Sequence, residues 1–111
     1  MPRVVRSIDI FLPLDYNNGR EVEEPKFSDL ENELPARFGG VTSIRRQFPL
    51  QGLWRSRGKV FQDRVVIFSA LDFNTLEISE LIHFLEGLKR RLKRKFAQQE
   101  ILITVHELLA I

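Results

Sequence analysis

Cysteine is absent, and tryptophan, tyrosine and methionine occur once each. Without cysteine there is no disulfide, no thiolate nucleophile and no cysteine-bound metal. That fits a reducing compartment. Histidine is confined to His83 and His106; His83 has no companion at metal-ligand spacing, and no metal site is expected. No apolar run approaches the roughly 18 residues that a membrane span needs. Met1 to Leu14 carries Arg3 and Arg6 before an apolar stretch, but Asp9 interrupts it and no small-residue cleavage site follows. A cytoplasmic protein without a membrane segment is therefore expected. Nothing in the chain signals a cofactor, and none is expected.

What is present is enough for one core. The chain has 111 residues, 43% of them hydrophobic, with nine phenylalanines. That length is a single domain, residues 1–111, which should bury about two-thirds of its unfolded surface without a staple. The net charge is only +2, yet the charges are segregated. Glu21, Glu23, Glu24, Asp29, Glu31 and Glu33 cluster against Lys26 alone. Arg37, Arg45, Arg46, Arg55, Arg57, Lys59 and Arg64 follow against Asp63, and six more bases surround Leu92. One acidic and two basic surfaces are expected, and such fields steer partners.

Periodicity supplies the elements. Val4 to Leu14 alternates, with Val4, Ile8, Ile10, Leu12 and Leu14 on one face and Arg6 as its exception. Pro25 opens a helix whose apolar side is Phe27, Leu30, Leu34 and Phe38. Pro35 should end its regular part near Leu34, with a kinked turn through Arg37 and a left-handed close at Gly39. Val41 to Trp54 reads as one long, irregular edge strand, because Pro49 lacks a ladder donor and Gly52 marks a bulge. Arg55 to Gly58 makes a hairpin, and Lys59 to Leu71 is a strand apolar on both faces, hence central. Asn74 caps a second helix, with Glu77 at the capping-box position and Phe73 stapling Ile78. Leu81, Leu85, Leu88, Leu92 and Phe96 are its apolar stripe. Glu100 to Glu107 is the last strand. The order βαββαβ predicts an α+β, ferredoxin-like fold: a four-stranded antiparallel sheet of order 4-1-3-2 with two helices on one face.

The helix-free face then carries Phe11 and Leu102, and the chain ends in Leu108-Leu109-Ala110-Ile111. So much apolar surface marks an interface, and a homodimer through the open face, the tail, or both is expected. Asp9 and His106 should share that face on neighbouring strands. As a carboxylate–imidazole pair they are the catalytic candidates, in an enzyme of the dimeric α+β-barrel type. With no nucleophile at hand, a plain polar pair or no contact is the preferred reading. Gly39-Gly40 follows a helix where a phosphate loop precedes one, so it is structural. Trp54 is read as packing over a sheet edge. RNA binding is the remaining alternative, through Arg55, Arg57 and Lys59 and through Arg90, Arg91 and Arg94. Ile10 to Leu14 and Arg57 to Phe61 resemble the paired motifs of RNA-recognition-motif proteins only in part, since Lys59 stands where an aromatic belongs.

Phe38-Gly39-Gly40-x-Thr42, Gly52-x-Trp54, Gly58, Asp63 and Gln99-Glu100 together resemble a family of small uncharacterised bacterial proteins with an FGG-x-T…G-x-W pattern. The resemblance covers residues 27 to 107. It implies a ferredoxin-like α+β fold and no activity. On the residues, the expected role is a non-catalytic binding or regulatory module, its ligand unspecified.

Overall fold

Ile8, Ile10 and Leu12 have no exposed surface and mark the layer on which the chain packs. The computed structural model describes every residue except 39–42, 46–49, 57–58 and 74–76, and side chains outside 39–63 and 74–76. Seven elements follow in order: β1 (Arg3–Pro13), α1 (Glu24–Phe38), β2 (Ser43–Arg45), β3 (Leu50–Ser56), β4 (Lys59–Asp72), α2 (Ile78–Lys95) and β5 (Leu102–Ala110). Alternate residues of β1 (Ile8, Ile10, Leu12) and of β4 (Val66, Phe68, Ala70) meet the apolar stripes of α1 and α2. Period 2 in the strands and period 3.6 in the helices thus converge on one core. The α+β class holds.

The expected ferredoxin-like sheet of four strands in order 4-1-3-2 is corrected. Among the described residues the sheet has five strands: four along the path β2-β4-β1-β5, and β3, which pairs with β4 off that path. Within 41–54 the described residues fall into two strands, where one was expected. Ser43–Arg45 lies against Ala70–Phe68, and Leu50–Ser56 lies against Val65–Lys59. Pro49, which cannot donate to a ladder, falls between the two. β1 pairs with β4 only from Asp72 to Val65. The rest of β4 therefore runs on with β3 as a two-stranded arm, about 20 Å long at about 3.3 Å per residue. The Cα outline is elongated, 47 × 31 × 25 Å.

α1 does not stop at Leu34 but runs through Pro35 to Phe38. A proline inside a helix costs about 3 kcal/mol. Leu34 and Phe38, both buried, flank it. Each such side chain contributes about 1.5–3 kcal/mol, so their burial offsets the cost. α2 begins at Ile78 with Glu77 at the N-cap and no side-chain capping bond, so the expected capping box is corrected; Asn74 lies outside the described residues. Its far end is tightly closed. Gln98 N–H donates to the Lys93 carbonyl at 2.9 Å and Ala97 N–H to the Arg94 carbonyl at 3.3 Å, a Schellman pair. Ala97 supplies the left-handed residue, with φ at 52°. A Cβ there costs about 1–2 kcal/mol, partly returned by the freedom glycine adds to the unfolded chain. Ala97→Gly should therefore gain about 0.5–1 kcal/mol and raise Tm by about 3–6 °C in a thermal melt. An unchanged or lower Tm would contradict this account of the helix end.

β5 extends three residues beyond the expected Glu107, pairing Leu108, Leu109 and Ala110 with Val5, Val4 and Arg3. The helix-free face is not uniformly apolar. Ser7, Asp9, Ser69, Thr104 and His106 form its centre, because Asp9 is opposite both Ser69 and Thr104, and Ser7 is opposite His106.

Candidate functional site

At one end of the sheet the register lines up Glu107, Arg6 and Asp72 across β5, β1 and β4. Arg6 shares the parity of Ile8 and Ile10, so the row belongs to the helix-covered layer. Asp72 is 1% exposed, the one charged side chain buried among the described residues. Taking a carboxylate out of water is costly unless an opposite charge accompanies it. Arg6 is directly opposite. Its side chain is 18% exposed, against 66% for Glu107, with Arg6 Nε 3.9 Å from Glu107 Oε1. The row therefore grades from a buried acid through a half-buried guanidinium to an acid in water. Such a row suits a zwitterion: a carboxylate on the fork of Arg6, an ammonium on Glu107. Arg6 was visible in the sequence as the one charge on an apolar face. Asp72 carries no such local sign.

The candidates chosen from sequence fare differently. Asp9 and His106 share the open face, but one diagonal apart, and no hydrogen bond or ion pair joins them. Asp9 Oδ1 instead accepts a hydrogen bond from Ser69 Oγ at 2.6 Å. The barrel-type enzyme built on that pair is corrected accordingly. On α2, Arg91 reaches Glu33 at 2.6 Å, Lys95 reaches Asp29 at 3.4 Å, and Lys89 reaches Glu100 at 2.7 Å. The acidic side of α1 and the basic side of α2 thus pair with each other, where separate surfaces were expected. Arg90 and Arg94 are exposed. Arg57, Gly39, Gly40 and Thr42 lie outside the described residues, as do the side chains of Arg55, Lys59, Trp54 and Asp63. Backbone pairing sets Trp54 opposite Phe61 and Gly52 opposite Asp63. Phe38 is a core residue, edge-on to Phe84 at 5.8 Å.

The opposite end of the sheet is clamped. Arg64 donates to Asp15 through Nε at 2.9 Å and Nη2 at 2.6 Å, fixing the arm to the end of β1. That hydrogen bonding holds the Asp15 carboxyl below its ordinary range and raises Arg64. Tyr16 donates to Glu23 and accepts from Lys26, which also donates to the Lys95 carbonyl at 2.9 Å. The Tyr16 hydroxyl lowers the Glu23 carboxyl and raises Lys26. Lys89 likewise lowers Glu100. For carboxyls depressed on folding, the stabilisation is present above their ordinary range and lost as pH falls through the folded value. These groups serve the fold. Among the described residues no cluster of His, Asp and Glu is arranged for a metal, and no helix is long and apolar enough to cross a membrane.

No family model matches the chain, and no curated protein matches it. Solved structures do. A phage SAM lyase in complex with S-methyl-5'-thioadenosine superposes with a TM-score of 0.64 at 14% identity, over 96% of this chain and 90% of that one. A phage SAM lyase in its apo state gives 0.66 at 14% identity, over 96% and 84%. At that identity the likeness is one of fold, and it replaces the ferredoxin-like expectation. It also corrects the expected non-catalytic module, since the fold this chain is similar to is that of an enzyme.

Proposed function

We propose that this chain is an enzyme acting on S-adenosylmethionine (SAM), in the manner of a lyase that leaves S-methyl-5'-thioadenosine. The observation that supports this reading is the near end-to-end fold likeness to phage SAM lyase, 96% of this chain against 90% of the other. The row Glu107–Arg6–Asp72 adds chemistry that suits the substrate. The amino-acid arm of SAM is a zwitterion, and Arg6 and Glu107 offer the complementary charges. Asp72 is then a positioning residue, holding the guanidinium from behind. Breaking the bond from sulfur to that arm leaves both electrons on sulfur, so the sulfonium departs as a neutral thioether and needs no acid. The arm's carbon regains its bond from within the arm, either by closure of its own carboxylate onto that carbon, which needs no proton acceptor, or by loss of a neighbouring proton to a carboxylate such as that of Glu107. No water is consumed in either case. The closure needs no acid or base beyond the arm's own carboxylate.

Incubating the full chain with SAM and following S-methyl-5'-thioadenosine by chromatography tests the reading. Product formation above the uncatalysed background, with the thioether and the four-carbon product in equal amounts, is expected. Absence of product together with absence of calorimetric binding of SAM and S-methyl-5'-thioadenosine would overturn it.

A further inference from the structure

Among the described residues, every exposed large hydrophobic side chain but Leu102 lies at one end of the molecule. There the start of β1, the ends of β4 and β5 and the first turns of α2 come together. Val4, Phe73, Ile78, Ile82, Leu108 and Leu109 are 37% to 69% exposed. Together they leave on the order of 500 Å² of apolar side chain in water, divided between the two faces of the β5 edge, since the successive Leu108 and Leu109 point to opposite sides. With a polar rim, that area approaches the roughly 800 Å² per partner of a stable interface.

The same end includes a free sheet edge. β5 pairs with β1 alone among the described strands. Its stretch Leu102–Ala110 contains no proline, glycine, lysine or arginine, and Glu107 is its sole formal charge. Edge strands are ordinarily blunted by such residues, and this one is not. The rim selects the occupant. Arg3, stacked on the Phe73 ring at 5.0 Å, is exposed, as are Glu77 and Glu80 on the entry to α2. A rim of both signs complements itself across a two-fold axis, whereas a partner of one strong sign would meet like charge. Antiparallel pairing of β5 with its own counterpart is also a two-fold operation.

We infer that this end is where a second copy of the chain docks, β5 against β5, with the exposed side chains of β1 and α2 closing over the joint. The inference does not rest on the ligand reading above, although Glu107 of that row lies on the same strand. It places the contact at the tail and not on the polar centre of the open face. Light scattering on the full chain across micromolar concentrations should give twice the chain mass of 13.0 kDa. Ile82→Asp combined with Leu109→Asp should return the mass to 13.0 kDa. Because both positions are solvent-facing, its circular dichroism should stay native. Leu102→Asp, at the far end of β5, should leave the pair intact. Should the double variant unfold, a wild-type Tm that rises with protein concentration supports the pairing, and a concentration-independent Tm overturns it. A wild type that is monomeric throughout, a mass of three copies, or dissociation by Leu102→Asp alone would each overturn the arrangement.

Discussion

Arg6→Gln is expected to weaken binding of SAM by about a hundredfold, the loss that follows when a two-pronged, charge-assisted contact worth about 3 kcal/mol is removed. Binding of S-methyl-5'-thioadenosine should change by no more than about threefold, because that molecule lacks the amino-acid arm and a guanidinium has no charge on it to meet. The contrast between the two ligands is the informative quantity. A general loss of folding would weaken both alike. Arg6→Gln also leaves Asp72 buried without the guanidinium opposite it, so the double variant Arg6→Gln with Asp72→Asn removes both charges and restores the fold. It should still distinguish the two ligands in the same way. Arg6→Lys should recover only part of the affinity, since an ammonium is a point charge without a planar fork. Isothermal calorimetry with both ligands checks all three variants. Equal losses for SAM and the thioether, or none for either, would remove Arg6 from the site.

Where pattern is local, the chain announces its structure. Ile8, Ile10 and Leu12 alternate, and Phe27, Leu30, Leu34 and Phe38 recur at helical spacing, so β1 and α1 are legible at once. All of these are buried as expected. The helix through Pro35 was not legible, because the penalty of the ring is local while the burial that offsets it is tertiary. The division of residues 41–54 into β2 and β3 was hidden for a related reason: that stretch has no sustained alternation, and only pairing with two parts of β4 separates it. The tail misled in another way. Leu108 and Leu109 are both exposed, so no alternation marked them as strand, and their pairing with β1 is a backbone matter. Asp9 and His106 were assigned the correct face, but contact depends on register, which face assignment does not determine. The register sets Thr104 opposite Asp9 and offsets His106 by two. The row of Glu107, Arg6 and Asp72 is the extreme case. Arg6 stands out as the one charge on an apolar face, but Asp72 and Glu107 join it in one row only through two registers at once.

The fold itself should depend most on Phe27. This side chain, 2% exposed, stacks on Phe68 of β4 with centroids 6.0 Å apart and planes 7° from parallel. It also meets Phe96, just past the end of α2, at 5.4 Å and 51°. One ring therefore joins the first helix, the central strand and the second helix. Phe27→Ala removes the transfer free energy of the ring and leaves a cavity between three elements that cannot all collapse into it. The expected cost is about 3–5 kcal/mol, a large share of the 5–15 kcal/mol that holds a typical domain together. At about 4–8 °C per kcal/mol, Tm should fall by about 15–30 °C. Phe27→Leu fills most of the space without the stacking, so it should lose no more than about half as much. Gln99→Ala, at an exposed position outside the regular elements, should stay within about 0.5 kcal/mol of the parent and calibrates the series. Urea unfolding followed by circular dichroism measures all three. A Phe27→Ala loss below about 1.5 kcal/mol would mean that the helices are anchored to the sheet elsewhere, because a buried ring in full contact cannot be removed so cheaply.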